Sequence, residues 1–288
     1  LTRFTEADLE RVVTERLSPL NVSIHATDPE VRNRMLKNPR GGMSLRWLRA
    51  LLDHGIAPAD LLVLELNEEL HQHLQRHFPQ VQVIASWGEQ LLDWLNDYTF
   101  PAEMKYADAQ HARAMARRFY DQLSAHGTTT AVAYCSVHAT SAEAFFAEAE
   151  ARNMRMIGGK VMMDRNAPEG LCDTPQSSYD DTKALVEKWH GRGRGLYAIT
   201  PRFAITSTPE QLEMAGALVR EHPDCYMQTH LSENHNEIAL TAELYPDARD
   251  YLDIYQSYGL LGPKALLGHS IHLEPREIDA LAETQSAP

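Results

Sequence analysis

The chain has 288 residues, 43% of them apolar, with a formal net charge of -13. That length suits a single α/β barrel of roughly 250 residues or two smaller domains, and the apolar share excludes a disordered chain. The acidic balance, with no basic cluster, argues against nucleic acid and anionic membrane as partners; no run of about 18 apolar residues marks a transmembrane span, and no signal peptide is read at the start.

The first eighty residues have no regular rhythm. Helices are predicted over Thr5 to Arg16, Pro29 to Leu36, Leu45 to His54 and Glu68 to Arg76, and extended segments over Asn21 to His25 and Leu61 to Leu66. Pro39-Arg-Gly-Gly42 marks a break. From Ala107 onward the pattern becomes a series of βα units. Helices are predicted over Ala107 to Ala125, Ser141 to Arg152, Tyr179 to His190, Thr208 to Glu221 and Ala248 to Tyr258. Strands are predicted over Thr128 to Val137, Met154 to Met163, Leu196 to Phe203, Cys225 to His230 and Ala265 to His269. Thr208 followed by Pro209 is a helix start, because the hydroxyl caps an amide and proline lacks the N–H that would go unused. Five consecutive βα units favour a parallel barrel over an open sheet. Cys135, Cys172 and Cys225 are odd in number and widely spaced, which reads as a reducing cytoplasm and buried small side chains rather than disulfides or a metal site.

The chemistry concentrates at strand ends. Gln228-Thr-His-Leu-Ser-Glu-Asn234 places His230 and Glu233 three residues apart where a strand finishes, and Lys264-Ala-Leu-Leu-Gly-His269 ends the next strand in histidine. In a parallel barrel both imidazoles point to one mouth. An imidazole that holds a metal beside a carboxylate that moves a proton is what metal-assisted hydrolysis requires. By residue type alone, Arg202 reads as a surface cation and Phe203 as a core aromatic. His235 and His272 read as accessory groups, His126 and His138 as structural ones.

From His77 to about Thr284 the chain resembles bacterial guanine deaminases of the amidohydrolase superfamily. The resemblance rests on His77-Phe-Pro-Gln80, Gly88-Glu-Gln-Leu-Leu-Asp-Trp-Leu95, Tyr98-Thr-Phe-Pro-Ala-Glu103, His126-Gly-Thr-Thr-Thr130, Gly159-Lys-Val-Met-Met-Asp-Arg-Asn166, Thr200-Pro-Arg-Phe203, the His230 to Glu233 stretch and Gly268-His269, in that family's order. It implies an α/β fold of the (β/α)8 TIM-like type with one Zn2+ at the mouth, and deamination of guanine to xanthine and ammonia. It further implies that His77 and His230 are metal ligands and that Glu233 and His269 are catalytic, with Gln80, Arg202 and Phe203 as the guanine contacts. An amide and a guanidinium match the polar edge of the purine, and an aromatic face stacks on its ring. The expected partners are guanine and a second copy of the chain in a homodimer, in the cytoplasm.

Two departures from that family stand out. Its first strand ends in His-x-His, whereas here Gln75 precedes His77 by two; His71-Gln-His73 has the right spacing but lies four residues early. Its seventh and eighth strands, with the aspartate that binds zinc, have no counterpart before Pro288. The expectation is therefore an incomplete barrel with two of four zinc ligands, weak metal binding, and exposed strand edges.

The beginning of the chain has other likenesses. Thr2 to Asn38 resembles a segment of radical-SAM-like iron-sulfur proteins, without their cysteine triplet. Leu45 to Pro79 is similar to the cofactor region of phospholipid N-methyltransferases, where Glu65 would hold a ribose; as a residue it reads more simply as an acid at a strand end. The expected organisation is an N-terminal segment 1–42, a methyltransferase-like fragment 43–76 and a deaminase-like region 77–288, a composite joined near Gly42 and near Phe78-Pro79.

Overall fold

The computed structural model describes residues 20–24, 46, 50, 61–65, 77–83, 94–125 and 127–288. The chain divides into two compact units, Leu1–His73 and Leu74–Pro288. In the first, β1 (Leu20–Ile24) and β2 (Leu61–Glu65) pair in parallel, with Leu20 opposite Leu61 and Ile24 opposite Glu65. β1 alternates Leu20, Val22 and Ile24 with polar Asn21 and Ser23, and β2 is an aliphatic run ending in Glu65; each lies within one residue of its predicted place. Of the helices predicted in this region only Arg46 and Ala50, both helical within Leu45 to His54, are described; the rest, with Gln75, His71 and His73, lie outside the described residues, as does His126.

The second unit is built on a parallel sheet. In spatial order it runs β3 (Thr130–Tyr134), β4 (Arg155–Gly159), β6 (Leu196–Pro201), β7 (Tyr226–Leu231) and β8 (Ala265–His269), while the short β5 (Val161–Met162) pairs with β6. Apart from the break between β4 and β5, each strand lies beside the next in sequence with a helix between, as βαβ units do. His77 makes a parallel bridge to Tyr134, and Ala287 one to Leu266, so both outer strands have a further backbone partner. This is the parallel (β/α) barrel type of sheet that the alternating pattern predicts.

One predicted strand is split. Met154 to Met163 breaks at Lys160, whose amide donates to the Tyr197 hydroxyl (3.1 Å) instead of joining the ladder. The register against β6 is the same on both sides, with Gly158 opposite Tyr197 and Val161 opposite Thr200. Glycine is required here: a Cβ on Gly159 would lie 1.8 Å from the Ala198 carbonyl oxygen.

The helices are α1 (Phe100–Glu103), α2 (Ala109–Ala125), α3 (Ala139–Ala151), α4 (Pro175–Trp189), α5 (Pro209–Glu221), α6 (His235–Leu244), α7 (Tyr251–Ser257) and α8 (Pro275–Thr284). The Thr208 hydroxyl does cap α5, accepting from the Gln211 amide. α4 starts four residues before the predicted Tyr179, because Thr174 and Ser177 form a capping box with Pro175 in the first turn. α7 is shorter than predicted, since Asp250 caps it by accepting from the Asp253 amide. Cys135 and Cys225 are buried and Cys172 is half-buried; all three are free thiols, and burial pushes the Cys225 thiol up to about 12. No helix among the described residues is long and apolar enough to cross a membrane.

Two histidines tie this unit to pH. Burial, then the charge of Lys264, holds His190 below the ordinary histidine value, and its Nδ1 accepts from the Tyr197 amide (3.1 Å). Burial, then Lys160, does the same to His138. The unfolded chain binds these protons near pH 6.5 and the folded one does so only below that. Stability is therefore expected in full above about pH 6.5 and to fall as pH drops below it. Urea midpoints measured from pH 7.5 to 5 should show the decline, and His190→Asn should flatten it; a slope unchanged by that substitution would exclude His190 as a contributor.

Candidate functional site

The site lies at the carboxyl ends of the strands. β7 ends in His230-Leu231, and the next residue, Ser232, takes a left-handed backbone (φ 50°); at the end of β8, His269 and Ser270 do the same (φ 73° and 49°). Non-glycine residues adopt this region at a cost of about 1 kcal/mol each, and such strain gathers where side chains must be aimed. It is held by cross-strand bonds: the Ser270 amide donates to the Leu231 carbonyl (2.8 Å), and the Ile271 amide to that of Ser232 (3.2 Å). The Tyr255 hydroxyl braces the same turn from α7, donating to the His230 carbonyl (2.8 Å) and accepting from the Ala204 amide (3.0 Å).

Glu233 is oriented by two contacts. Its carboxylate lies 2.9 Å from His269 Nε2. Its amide donates to Glu237 (2.8 Å), which also accepts from the Asn234 amide (3.1 Å) and the Tyr251 hydroxyl (2.8 Å). Burial pushes the Glu237 carboxyl up, against the pull of those donors.

His77 and His230 face each other, with Nε2 atoms 3.0 Å apart and rings stacked at 5.0 Å. The Nδ1 of His230 lies 2.7 Å from the Arg202 carbonyl oxygen, and only a protonated Nδ1 makes that bond. This fixes the tautomer and leaves the lone pair on Nε2. Two imidazole nitrogens so close need a proton or a cation between them, and ligands of one tetrahedral zinc, each at about 2.0–2.1 Å, are spaced comparably. The pair thus fits two positions around a metal. Among the described residues, no group of three or more His, Cys, Asp or Glu side chains could hold one. His269 packs at 5.4 Å from His230 but is engaged with Glu233.

The predicted substrate contacts are all buried. Gln80 sits in the tight turn Phe78–Gln82, its amide donating to the His77 carbonyl (3.0 Å). Phe203 lies in an apolar cluster with Leu95, Phe100, Tyr134 and Val137, and its ring is 6.0 Å from that of His230. Arg202 is not the surface cation its type suggests: it is 2% exposed and its Nη1 donates to Glu103 (2.8 Å), with the Phe100 ring 5.4 Å from the guanidinium. Burial is tolerated because a carboxylate partner is buried with it.

Sequence reasoning did not single out three of these groups. Tyr134 stacks on His77 (4.7 Å) and lies 4.5 Å from His230; it ends β3, whereas the predicted strand runs on to Val137 and so does not place it at the mouth. Glu103 was visible only as part of a motif, and Tyr255 carried no local signal.

The amidohydrolase family model matches residues 69–287. The chain belongs to the amidohydrolase family. A radical SAM-like domain model also matches residues 1–86. The guanine deaminase of Escherichia coli is 53% identical over 211 residues, covering 73% of this chain and 48% of that protein. A structure of the E. coli guanine deaminase superposes with a TM-score of 0.70 at 52% identity, over 74% of this chain and 49% of that one. The guanine deaminase of C. acetobutylicum with guanine in its active site superposes with a TM-score of 0.70 at 29% identity, over 73% and 51%. The likeness to guanine deaminases read from the motifs is thus borne out, as is the barrel type of this amidohydrolase. The chain spans about half the length of the relatives it matches.

Proposed function

We propose that this chain is a guanine deaminase, hydrolysing guanine to xanthine and ammonia. The observation that carries the reading is the carboxylate of Glu233 held at 2.9 Å by His269, beside the facing imidazoles of His77 and His230. Arg202 and Gln80 would hold the polar edge of the purine and Phe203 its face, the apolar cluster keeping water from the ring. Glu233 would take one proton from the attacking water and give it to the ring nitrogen, where it stays; it would then carry the second proton, released from the adduct's hydroxyl as the carbonyl forms, to the amino group as the C–N bond breaks and ammonia leaves. His269, bonded to that carboxylate, keeps it aimed during the transfer. Zinc is the expected cation, with His77 and His230 as its protein donors; when bound it would supply a hydroxide near neutral pH.

Because the described residues bring only two histidine donors together, a second reading is an inactive relative that keeps the purine pocket. One experiment separates the two. Purified chain is dialysed against zinc, its metal measured, and guanine absorbance followed. Turnover with about one zinc per chain supports the enzyme; metal-loaded protein that leaves guanine unchanged refutes it. Far less than one zinc per chain, with guanine still bound, is the result expected of the inactive relative. Residues 1–42 and 43–76 are read as separate from the deaminase-like region 77–288, and a homodimer in the cytoplasm as the working state; sedimentation would test the dimer.

A further inference from the structure

Glu103 has no side-chain exposure at all, lying at the end of the helix Phe100–Glu103. The segment leading to it is unusual. Leu95–Thr99 is a π-helical turn, in which the Phe100 amide bonds back to the Leu95 carbonyl. Pro101 explains the widening, because its ring clashes with the carbonyl four residues back and it offers no N–H. The widened turn brings Phe100 against Arg202 and Glu103 into hydrogen-bond distance of it.

We propose that Glu103 is the positioning residue of the purine pocket: it clamps Arg202 through Nη1 so that Nη2 remains to donate to a carbonyl acceptor on the ring. This rests on the reading of the site as a guanine pocket. The two terminal nitrogens of Arg202 differ in the way required. Nη1 is 2.8 Å from Glu103 Oε2, whereas Nη2 is buried and has no hydrogen-bond partner among the described residues. A buried donor left unmade costs about 1–3 kcal/mol, which an incoming acceptor would relieve. A guanidinium clamped at one nitrogen also loses less freedom when the other binds. The other oxygen, Oε1, lies 4.0 Å from His77 Nδ1, on the side of that ring away from His230. At that distance Oε1 makes no hydrogen bond to the ring, so the carboxylate orients the arginine alone.

The test compares guanine with 2-aminopurine, which lacks the carbonyl oxygen, by calorimetry on the full chain and on Glu103→Gln, Arg202→Met and the double variant. Glu103→Gln is expected to weaken guanine about 10-fold or more, a charged hydrogen bond's worth, with 2-aminopurine unchanged within about twofold. The double variant should be no worse than Arg202→Met. Equal losses for both purines, or none, would overturn the proposal. Arginine side-chain nuclear magnetic resonance supplies a second readout. Slowly exchanging Nη protons of Arg202 should be present in the unaltered chain, shift on adding guanine, and vanish in Glu103→Gln. If that variant does not fold, the guanine-induced shift in the unaltered chain decides, its absence on bound guanine counting against Nη2. Guanine that does not bind the unaltered chain at all sinks the pocket reading instead; Arg202 signals identical with and without Glu103→Gln then overturn the positioning role as well.

Discussion

Glu233→Gln is expected to abolish the guanine turnover proposed for the zinc-loaded chain, by about 100- to 10,000-fold, while leaving its stability close to that of the parent. The amide keeps the size of the side chain and can still bond to His269 Nε2, which lies 2.9 Å from the carboxylate. The backbone turn survives too, because it is held through the Glu233 amide by Glu237 rather than by the side chain. What disappears is the ability to accept and return a proton. Guanine binding should persist within a few-fold, since the contacts assigned to the ring belong to Gln80, Arg202 and Phe203. The measurement is kcat against KM with thermal melting alongside. A variant that keeps its full rate would remove Glu233 from the mechanism. One that loses rate only together with its fold would show it to be structural.

The residues legible in the sequence are those whose signal is local. The strand over Ala265–His269 and the capped helix from Pro209 were both readable, because short aliphatic runs and a Thr-Pro start depend on neighbours along the chain. Local signals were also missed. Asn234 with Glu237, and Glu274-Pro275 with Glu277, begin helices α6 and α8 as capping boxes. Neither was read, since the hydrophobic pattern that follows each box is short. His77, His230, His269 and Glu233 are candidates because motifs mark them, and the fold brings them together. Glu103 was not assigned a role because its partner Arg202 is 99 residues away. A pairing formed only when strands assemble leaves no spacing to read, and the same holds for Tyr255 beneath His230.

Gly159→Val is expected to keep the second unit from folding, the largest stability effect of any single exchange considered. The nearest atom to an added Cβ is the backbone oxygen of Ala198 at 1.8 Å, with the Thr200 hydroxyl at 2.9 Å, so neither flexible side chain nor open space can absorb it. Gly191→Ala is the control: its φ of +74° carries a conformational cost of about 1–2 kcal/mol, but nothing lies within 4 Å of the new methyl. Circular dichroism and soluble yield should therefore separate a lost fold from a modest shift in melting. The consequence reaches the chemistry through β6. That strand ends at Pro201, and the following Arg202 amide donates to the carbonyl of Met162 (3.2 Å), the last residue of β5. Forcing β4 from β6 would pull this bond apart, and with it the Arg202 carbonyl that fixes the tautomer of His230. A revertant at Ala198 cannot rescue the exchange, because the obstructing atom is a backbone oxygen common to every residue. Recovery of a native spectrum by any side-chain change at Ala198 would contradict the packing described between these strands.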